Sequence, residues 1–169
     1  MPIELALEYT YAHSNAPPAS CSCFNLNGSS ATFAWSIPPR TALGNFAFVT
    51  DFTSVHAGGI SATGHLTLSA LTMGARYRPN IGHLPLHPCA QALAGFAHAS
   101  GTLAQAPNSG VANAGAALAA NLGGGIDLRL SRRFSYRLAE ADYMLTTFNN
   151  GANNHQNNLK IGTGAVVHF

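Results

Sequence analysis

Apolar and polar side chains alternate along most of the chain with a period of two residues, the pattern of a β-strand that has two different faces. The last segment shows this clearly. One parity of residues 158–169 is mainly apolar, and the other is mainly small or polar: Leu159, Ile161, Thr163, Ala165, Val167 and Phe169 against Asn158, Lys160, Gly162, Gly164, Val166 and His168. The pattern predicts a strand that runs to the last residue.

Similar alternation predicts eight strands in all. They cover residues 3–11, 31–37, 45–52, 65–78, 84–98, 111–130, 134–147 and 158–169. Long connections rich in Ser, Asn, Gly and Pro alternate strictly with short ones: 12–27, 55–64, 99–110 and 147–157 against 38–41, 79–82 and 131–133. In an antiparallel meander, the long loops then lie at one end, and the short turns and both termini lie at the other. This asymmetry is typical of bacterial outer-membrane barrels.

A closed barrel removes the free sheet edges that lipid cannot satisfy. The sequence therefore predicts an all-β fold, a closed eight-stranded antiparallel up-and-down transmembrane β-barrel that forms a single domain over residues 1–169.

Composition agrees with a membrane protein, since 47% of residues are hydrophobic and only 8% are charged, against about 25% charged in soluble proteins. The chain lacks the run of about 18 apolar residues that a membrane-spanning helix needs. Eight basic and six acidic residues are too few and too scattered for a phosphate-binding face, so we expect no nucleic-acid partner.

The charged residues decide which face looks inward. In the regular strands they fall on the small, polar parity and never among the Leu and Phe positions. A soluble lipocalin-like barrel would instead put its aliphatic side chains inside and its charges outside. We therefore expect the apolar face to contact the lipid bilayer, with aromatic residues near the strand ends as an interfacial girdle.

Two segments conflict with a simple alternation. In residues 134–147 the inward phase of Arg137 does not match that of Glu140 and Asp142, and a β-bulge near residues 138–140 would reconcile them. In residues 65–78 the apolar side chains lie on even positions at Leu66 and Leu68 but on an odd position at Met73. This change leaves the orientation of Arg76 and Arg78 open.

The inward charges predict a network in the lumen, formed by Glu4, Glu8, Asp51, Asp127, Arg129, Arg137, Glu140, Asp142 and Lys160. Such a network serves as a gated ion path, as paired carboxylates for acid–base chemistry, or as a plug of salt bridges. We favour the plug, because eight strands leave space for little besides side chains. No catalytic Ser, His and Asp pattern is apparent in the sequence, so we expect neither enzymatic activity nor a cofactor.

Sulfur and imidazole groups fall near the loop-bearing end. Cys21 and Cys23 form a C-x-C pair in the longest loop, and His56 and His98 lie close to the same end. Together they form a candidate site for Cu, Zn or Ni. The alternative is a reactive or oxidised cysteine pair with histidines as interfacial polar groups.

The stretch GGGIDLRLSRRFSYRLAEADYMLTTF, followed by NNLKIGTGAVVHF, resembles the last three strands of the OmpA-type eight-stranded outer-membrane barrel family. In that family the assembly machinery of the outer membrane recognises a terminal aromatic residue preceded by alternating apolar residues. The resemblance implies that Ala165, Val167 and Phe169 form this signal. It also implies a bacterial outer-membrane location with extracellular long loops and periplasmic termini.

The predicted function is a structural or surface-recognition role through the long loops of a monomer. A small pore is one alternative, and a loop module that binds a metal, a glycan or a surface partner is another. A soluble carrier is a more distant alternative.

Overall fold

The computed structural model describes residues 3–14, 24–38, 41, 43–58, 65–81, 84–101, 116–148 and 155–169. The eight strands are β1 (Ile3–Ser14), β2 (Phe24–Ile37), β3 (Gly44–Gly58), β4 (His65–Pro79), β5 (Leu86–Ser100), β6 (Ala116–Arg129), β7 (Phe134–Thr146) and β8 (Gln156–His168). Each strand pairs with its sequence neighbours, and β1 also pairs with β8, so the antiparallel sheet closes into a barrel. The predicted fold is confirmed. In the part of the chain described, no helix has the length and hydropathy to cross a membrane.

Several strands extend further toward the long loops than the sequence pattern predicts. β2 begins at Phe24, whereas alternation becomes visible only at residue 31. The added residues, 24–30, pair with Glu8–Ser14 of β1, and polar residues occur among them on both faces of the strand. Backbone hydrogen bonds hold these segments in the sheet, and such bonds need no apolar pattern.

The predicted bulge in β7 is confirmed. The register against β6 and β8 shifts between Arg137 and Glu140, so Leu138 and Ala139 both point outward. This one extra residue brings Arg137, Glu140 and Asp142 to the inner face of the same strand.

The outer face of the barrel is apolar. Large hydrophobic side chains from all eight strands are exposed, with Leu7 at 70%, Leu122 at 66% and Phe96 at 62%. All six acidic residues of the chain are buried inside instead: Glu4, Glu8, Asp51, Asp127, Glu140 and Asp142. The two faces therefore divide as the charge pattern predicts.

The loop-side half of the lumen contains an apolar cluster, which corrects the expectation of an interior built only from small, polar and charged residues. Leu26, Val55, Leu68 and Met144 are buried there among alanines. β4 pairs with β3 without a register shift, so Leu68 and Arg76 share the inner face of a regular strand. The phase conflict in this strand arises because leucine fills the interior where the charged residues end.

Candidate functional site

Arg137 lies at the centre of an ion-pair cluster in the lumen, and its side chain is fully buried. Its Nη1 atom is 2.7 Å from Glu8 Oε1 and 2.6 Å from Glu140 Oε2. Its Nε atom donates to Asp127 Oδ1 at 2.7 Å. One guanidinium group thus joins carboxylates from β1, β6 and β7.

Lys160 forms a second centre on β8. Its Nζ atom lies 3.2 Å from Asp51 Oδ2, 3.0 Å from Asp142 Oδ2 and 3.5 Å from Glu140 Oε1. Asp51 also accepts hydrogen bonds from the hydroxyls of Thr32 on β2 and Thr53 on β3, at 2.9 and 2.8 Å.

Arg76 and Gln91 complete the cluster from β4 and β5. Arg76 Nη2 lies 3.2 Å from Glu140 Oε2 and donates to Gln91 Oε1 at 2.6 Å. The Gln91 amide nitrogen in turn donates to both oxygens of Asp142 at 3.0 Å. Every strand of the barrel therefore contributes a side chain, which holds the closed cylinder together from within.

A cavity of about 310 Å³ lies at the turn-side mouth, below the cluster. Arg78 is ion-paired there with Glu4, and its other terminal nitrogen is 3.0 Å from Asp127 Oδ2. We define the lumen network as Gln91 and the ten charged residues that form these ion pairs. The charged residues are Glu4, Glu8, Asp51, Arg76, Arg78, Asp127, Arg137, Glu140, Asp142 and Lys160.

Glycines on the inner face make room for the carboxylates. A Cβ atom at Gly162 would lie 2.6 Å from Glu8 Oε2, and one at Gly123 would overlap the Ala141 carbonyl oxygen and Asp142 Oδ1. Both contacts are too short for non-bonded atoms, so these positions need the smallest residue.

Eight of the nine charged residues predicted for the lumen take part in these ion pairs. Arg129 does not, and its placement in the network is corrected. It is the last residue of β6 and is exposed, and its Nε atom donates to the carbonyl oxygen of Ser131 at 3.3 Å. At the strand end it lines the cavity at the turn-side mouth and forms none of these ion pairs.

Sequence reasoning left Arg76 and Arg78 unassigned and missed Gln91. The unbroken register of β4 places both arginines on the inner face.

Sequence reasoning also missed a row of side chains at the turn-side mouth. Ser135 Oγ lies 2.8 Å from His168 Nε2, and His168 Nδ1 lies 3.4 Å from Glu4 Oε1.

The row of Ser135, His168 and Glu4 has the residue order of a catalytic triad but lacks its geometry. The 3.4 Å separation of His168 and Glu4 exceeds an ordinary N–H···O distance. The same Glu4 oxygen is bound to Arg78. The carboxylate is therefore committed to the guanidinium rather than to the imidazole.

The residues of the candidate metal site are not brought together in the described part of the chain. Cys21 and Cys23 lie outside the described residues. His56 on β3 and His98 on β5 are exposed on the outer face, with β4 between them. His56 Nδ1 lies 2.9 Å from Thr67 Oγ1. Within the described ranges, no group of three or more His, Cys, Asp or Glu residues is arranged to hold a metal ion.

The three residues of the predicted assembly signal share the outer face of β8. Ala165 is exposed, Val167 is half-buried and Phe169 is 57% exposed. The backbone of Phe169 pairs with Ile3 at the seam between the first and last strands, where its N–H donates to the Ile3 carbonyl at 2.9 Å.

Comparison with protein-family models found no match, and comparison with curated protein sequences also found none. Solved structures do match. Neisserial surface protein A (NspA) superposes with a TM-score of 0.70 at 13% identity, over 99% of this chain and 97% of that one. Ail, the attachment invasion locus protein of Yersinia pestis, was crystallised with the heparin analogue sucrose octasulfate. It has a TM-score of 0.54 at 16% identity over 100% of both chains.

The chain has the fold of an eight-stranded outer-membrane β-barrel. The resemblance to the OmpA-type family agrees with these structural neighbours. The outer-membrane enzyme PagL also shares the fold, with a TM-score of 0.50 at 11% identity over 96% of this chain and 99% of that one. The fold alone therefore does not separate enzymes from other barrels.

Proposed function

We propose that the protein is an integral bacterial outer-membrane barrel, closed by the lumen network, that acts in a structural or surface-recognition role through its long loops. The division of the two faces carries this proposal. Every acidic residue is buried in the lumen, whereas Leu, Phe and Tyr side chains cover the outside. In water such an exterior would aggregate, and in a bilayer it is the stable arrangement.

The ion pairs support a closed lumen rather than a pore. Arg76, Arg137 and Lys160 have side chains no more than 1% exposed, and each bridges carboxylates or amides of different strands. Planar-bilayer recording tests this directly. We expect no steady conductance from the wild-type protein and measurable conductance from a variant carrying both Arg137→Ala and Gln91→Ala. Stepwise wild-type conductance would support the alternative function of a small pore.

The proposed orientation places the long loops outside the cell and both termini in the periplasm. Cys21 and Cys23 lie in a predicted long loop, whereas Cys89 is buried in β5. A membrane-impermeable maleimide should therefore label intact cells that express the wild type, and should not label Cys21→Ser/Cys23→Ser cells. Ser131→Cys in that background tests the opposite end, since Ser131 lies in the β6–β7 turn. Labelling of this variant before the outer membrane is permeabilised would reverse the orientation.

We propose that Phe169, with Val167 and Ala165, is read by the outer-membrane assembly machinery. Phe169→Ser should reduce the folded protein in cell membranes while leaving spontaneous folding into vesicles nearly unchanged. Leu130→Ser is a matched control, because Leu130 is also exposed at the turn-side end. Equal losses for both variants would contradict a specific signal.

We also propose that the protein is a monomer without enzymatic activity. Glu4 is ion-paired with Arg78 and lies 3.4 Å from His168, so it does not hold the imidazole in place as a base for Ser135. An active-site fluorophosphonate should therefore fail to label Ser135 in the folded protein, and labelling that is lost in His168→Ala would refute this. Chemical crosslinking in vesicles tests the monomer.

A further inference from the structure

All Asp and Glu side chains of this protein are buried, so in the part of the chain that the structure describes the exposed Lys, Arg, Asp and Glu side chains are all arginines. The lumen network holds all six acidic residues and four of the eight basic ones. The remaining four are arginines, of which Arg40 lies outside the described residues. Arg132 and Arg133 are exposed in the turn between β6 and β7, and the exposed Arg129 is the last residue of β6, directly before that turn. We call these three residues the arginine turn. In the described residues, no ion pair involves any of them.

Hydrogen bonds hold the arginine turn in a defined shape. The backbone N–H groups of Leu130 and Ser131 both donate to Phe134 O, at 3.1 and 2.9 Å. The Ser131 hydroxyl oxygen accepts from the backbone N–H groups of Arg133 and Phe134, at 3.3 and 3.1 Å. The guanidinium groups are therefore carried by a rigid platform rather than by a long, mobile loop.

Exposed apolar side chains surround this platform. Leu130 is 66% exposed and Phe134 is 53% exposed. The Arg129 N–H donates to Pro85 O at 2.8 Å, which places Leu84, 58% exposed, on one side. The His168 N–H donates to Arg133 O at 2.8 Å, which places Phe169 on the other side. The arginines thus lie where the apolar outer face ends, which the proposed membrane insertion places at the depth of the lipid headgroups.

We propose that the arginine turn binds the phosphate of an anionic phospholipid, such as phosphatidylglycerol, in the leaflet that faces the short turns. Guanidinium groups bind phosphate oxygens in bidentate fashion, and clusters of basic residues beside a membrane attract anionic lipids. No Asp or Glu side chain competes for the arginines, since all six lie in the lumen. The neighbouring Leu130 and Phe134 contact the acyl chains, which favours a lipid over a soluble anion. This inference rests on the proposed membrane insertion.

Native mass spectrometry of the detergent-folded protein, titrated with short-chain phosphatidylglycerol or phosphatidylcholine, tests the proposal. We expect roughly tenfold tighter binding of the anionic lipid, as several basic groups at a membrane surface provide. Arg132→Gln/Arg133→Gln should lower this preference to about twofold or less, whereas Arg132→Lys/Arg133→Lys should keep most of it. Arg40→Gln, which removes one charge from another predicted short turn, is the control and should keep most of it too.

Equal affinity of the wild type for the two lipids would overturn the proposal, and so would a Gln variant that keeps the wild-type preference. Glycerol 3-phosphate is added in a separate arm. If it displaces the lipid at matched concentration, the turn binds a soluble phosphate and the lipid assignment is wrong. Insertion into phosphatidylcholine vesicles, followed by Trp35 fluorescence, is measured independently. A failure of membrane insertion is thereby distinguished from a lack of lipid preference.

Discussion

Replacing Arg137 with methionine removes the centre of the lumen network without leaving a large void. Asp127 keeps Arg78 at 3.0 Å, and Glu140 keeps Arg76 at 3.2 Å and Lys160 at 3.5 Å. Glu8 differs, because Arg137 is its one ion-pair partner among the described residues and its Oε2 atom has no hydrogen-bond partner there. The variant therefore leaves one buried carboxylate uncompensated, which costs about 3–5 kcal/mol.

Urea unfolding of the protein from phosphatidylcholine vesicles measures this cost. Trp35, the one tryptophan of the chain, is 54% exposed on the outer face and reports insertion by its fluorescence. Removing the orphaned charge as well, in Arg137→Met/Glu8→Gln, should recover part of the loss. We expect the double-mutant cycle to give a coupling free energy of about 1–3 kcal/mol.

Arg133→Met is the matched control, because it makes the same chemical change in an exposed turn and should alter stability by less than about 0.5 kcal/mol. The reasoning is refuted if Arg137→Met costs less than about 1 kcal/mol, or if the two substitutions in the cycle are simply additive. Either result would mean that Arg137 does not stabilise the buried Glu8 side chain.

Three further substitutions test separate parts of the barrel, each by the same unfolding assay. Leu7→Arg puts a charge on the lipid face in the middle of β1, where Leu7 is 70% exposed, and should cost about 2–4 kcal/mol. Gly162→Ala would bring a methyl group within 2.6 Å of Glu8 Oε2 and should destabilise the barrel by about 1–3 kcal/mol through overpacking. Leu26→Ala opens a cavity in the apolar loop-side lumen, where Leu26 is fully buried, and should cost about 2–5 kcal/mol.

The controls for these variants come from the same chain. Gly58→Ala adds a methyl group that meets nothing closer than His56 Nε2 at 3.7 Å, so it should be nearly neutral. A Gly162→Ala variant as stable as Gly58→Ala would mean that the glycine does not serve the Glu8 carboxylate. A neutral Leu7→Arg would contradict the lipid-facing assignment, and a neutral Leu26→Ala would contradict the packed apolar interior.

The amino-acid sequence by itself determined the strand count and the division of the two faces. These features are local, because a period of two and a run of turn residues can be read without knowing which strands meet. The same holds for the bulge in β7, since a single strand cannot present both Arg137 and Glu140 inward without an extra residue. The charged residues all fell on one face of the regular strands, and this identified the inner face, because a buried ionised group needs a partner.

Only the tertiary structure decided which charges meet. Arg76 pairs with Glu140 across 64 residues of sequence, and Glu8 pairs with Arg137 across 129. Such distances depend on barrel closure and strand register, which alternation does not encode. The same closure gave Leu26 and Leu68 an inward position, because the space that remains above the charged cluster must be filled. It also left Arg129, Arg132 and Arg133 without an ion pair, since all six Asp and Glu side chains face the lumen.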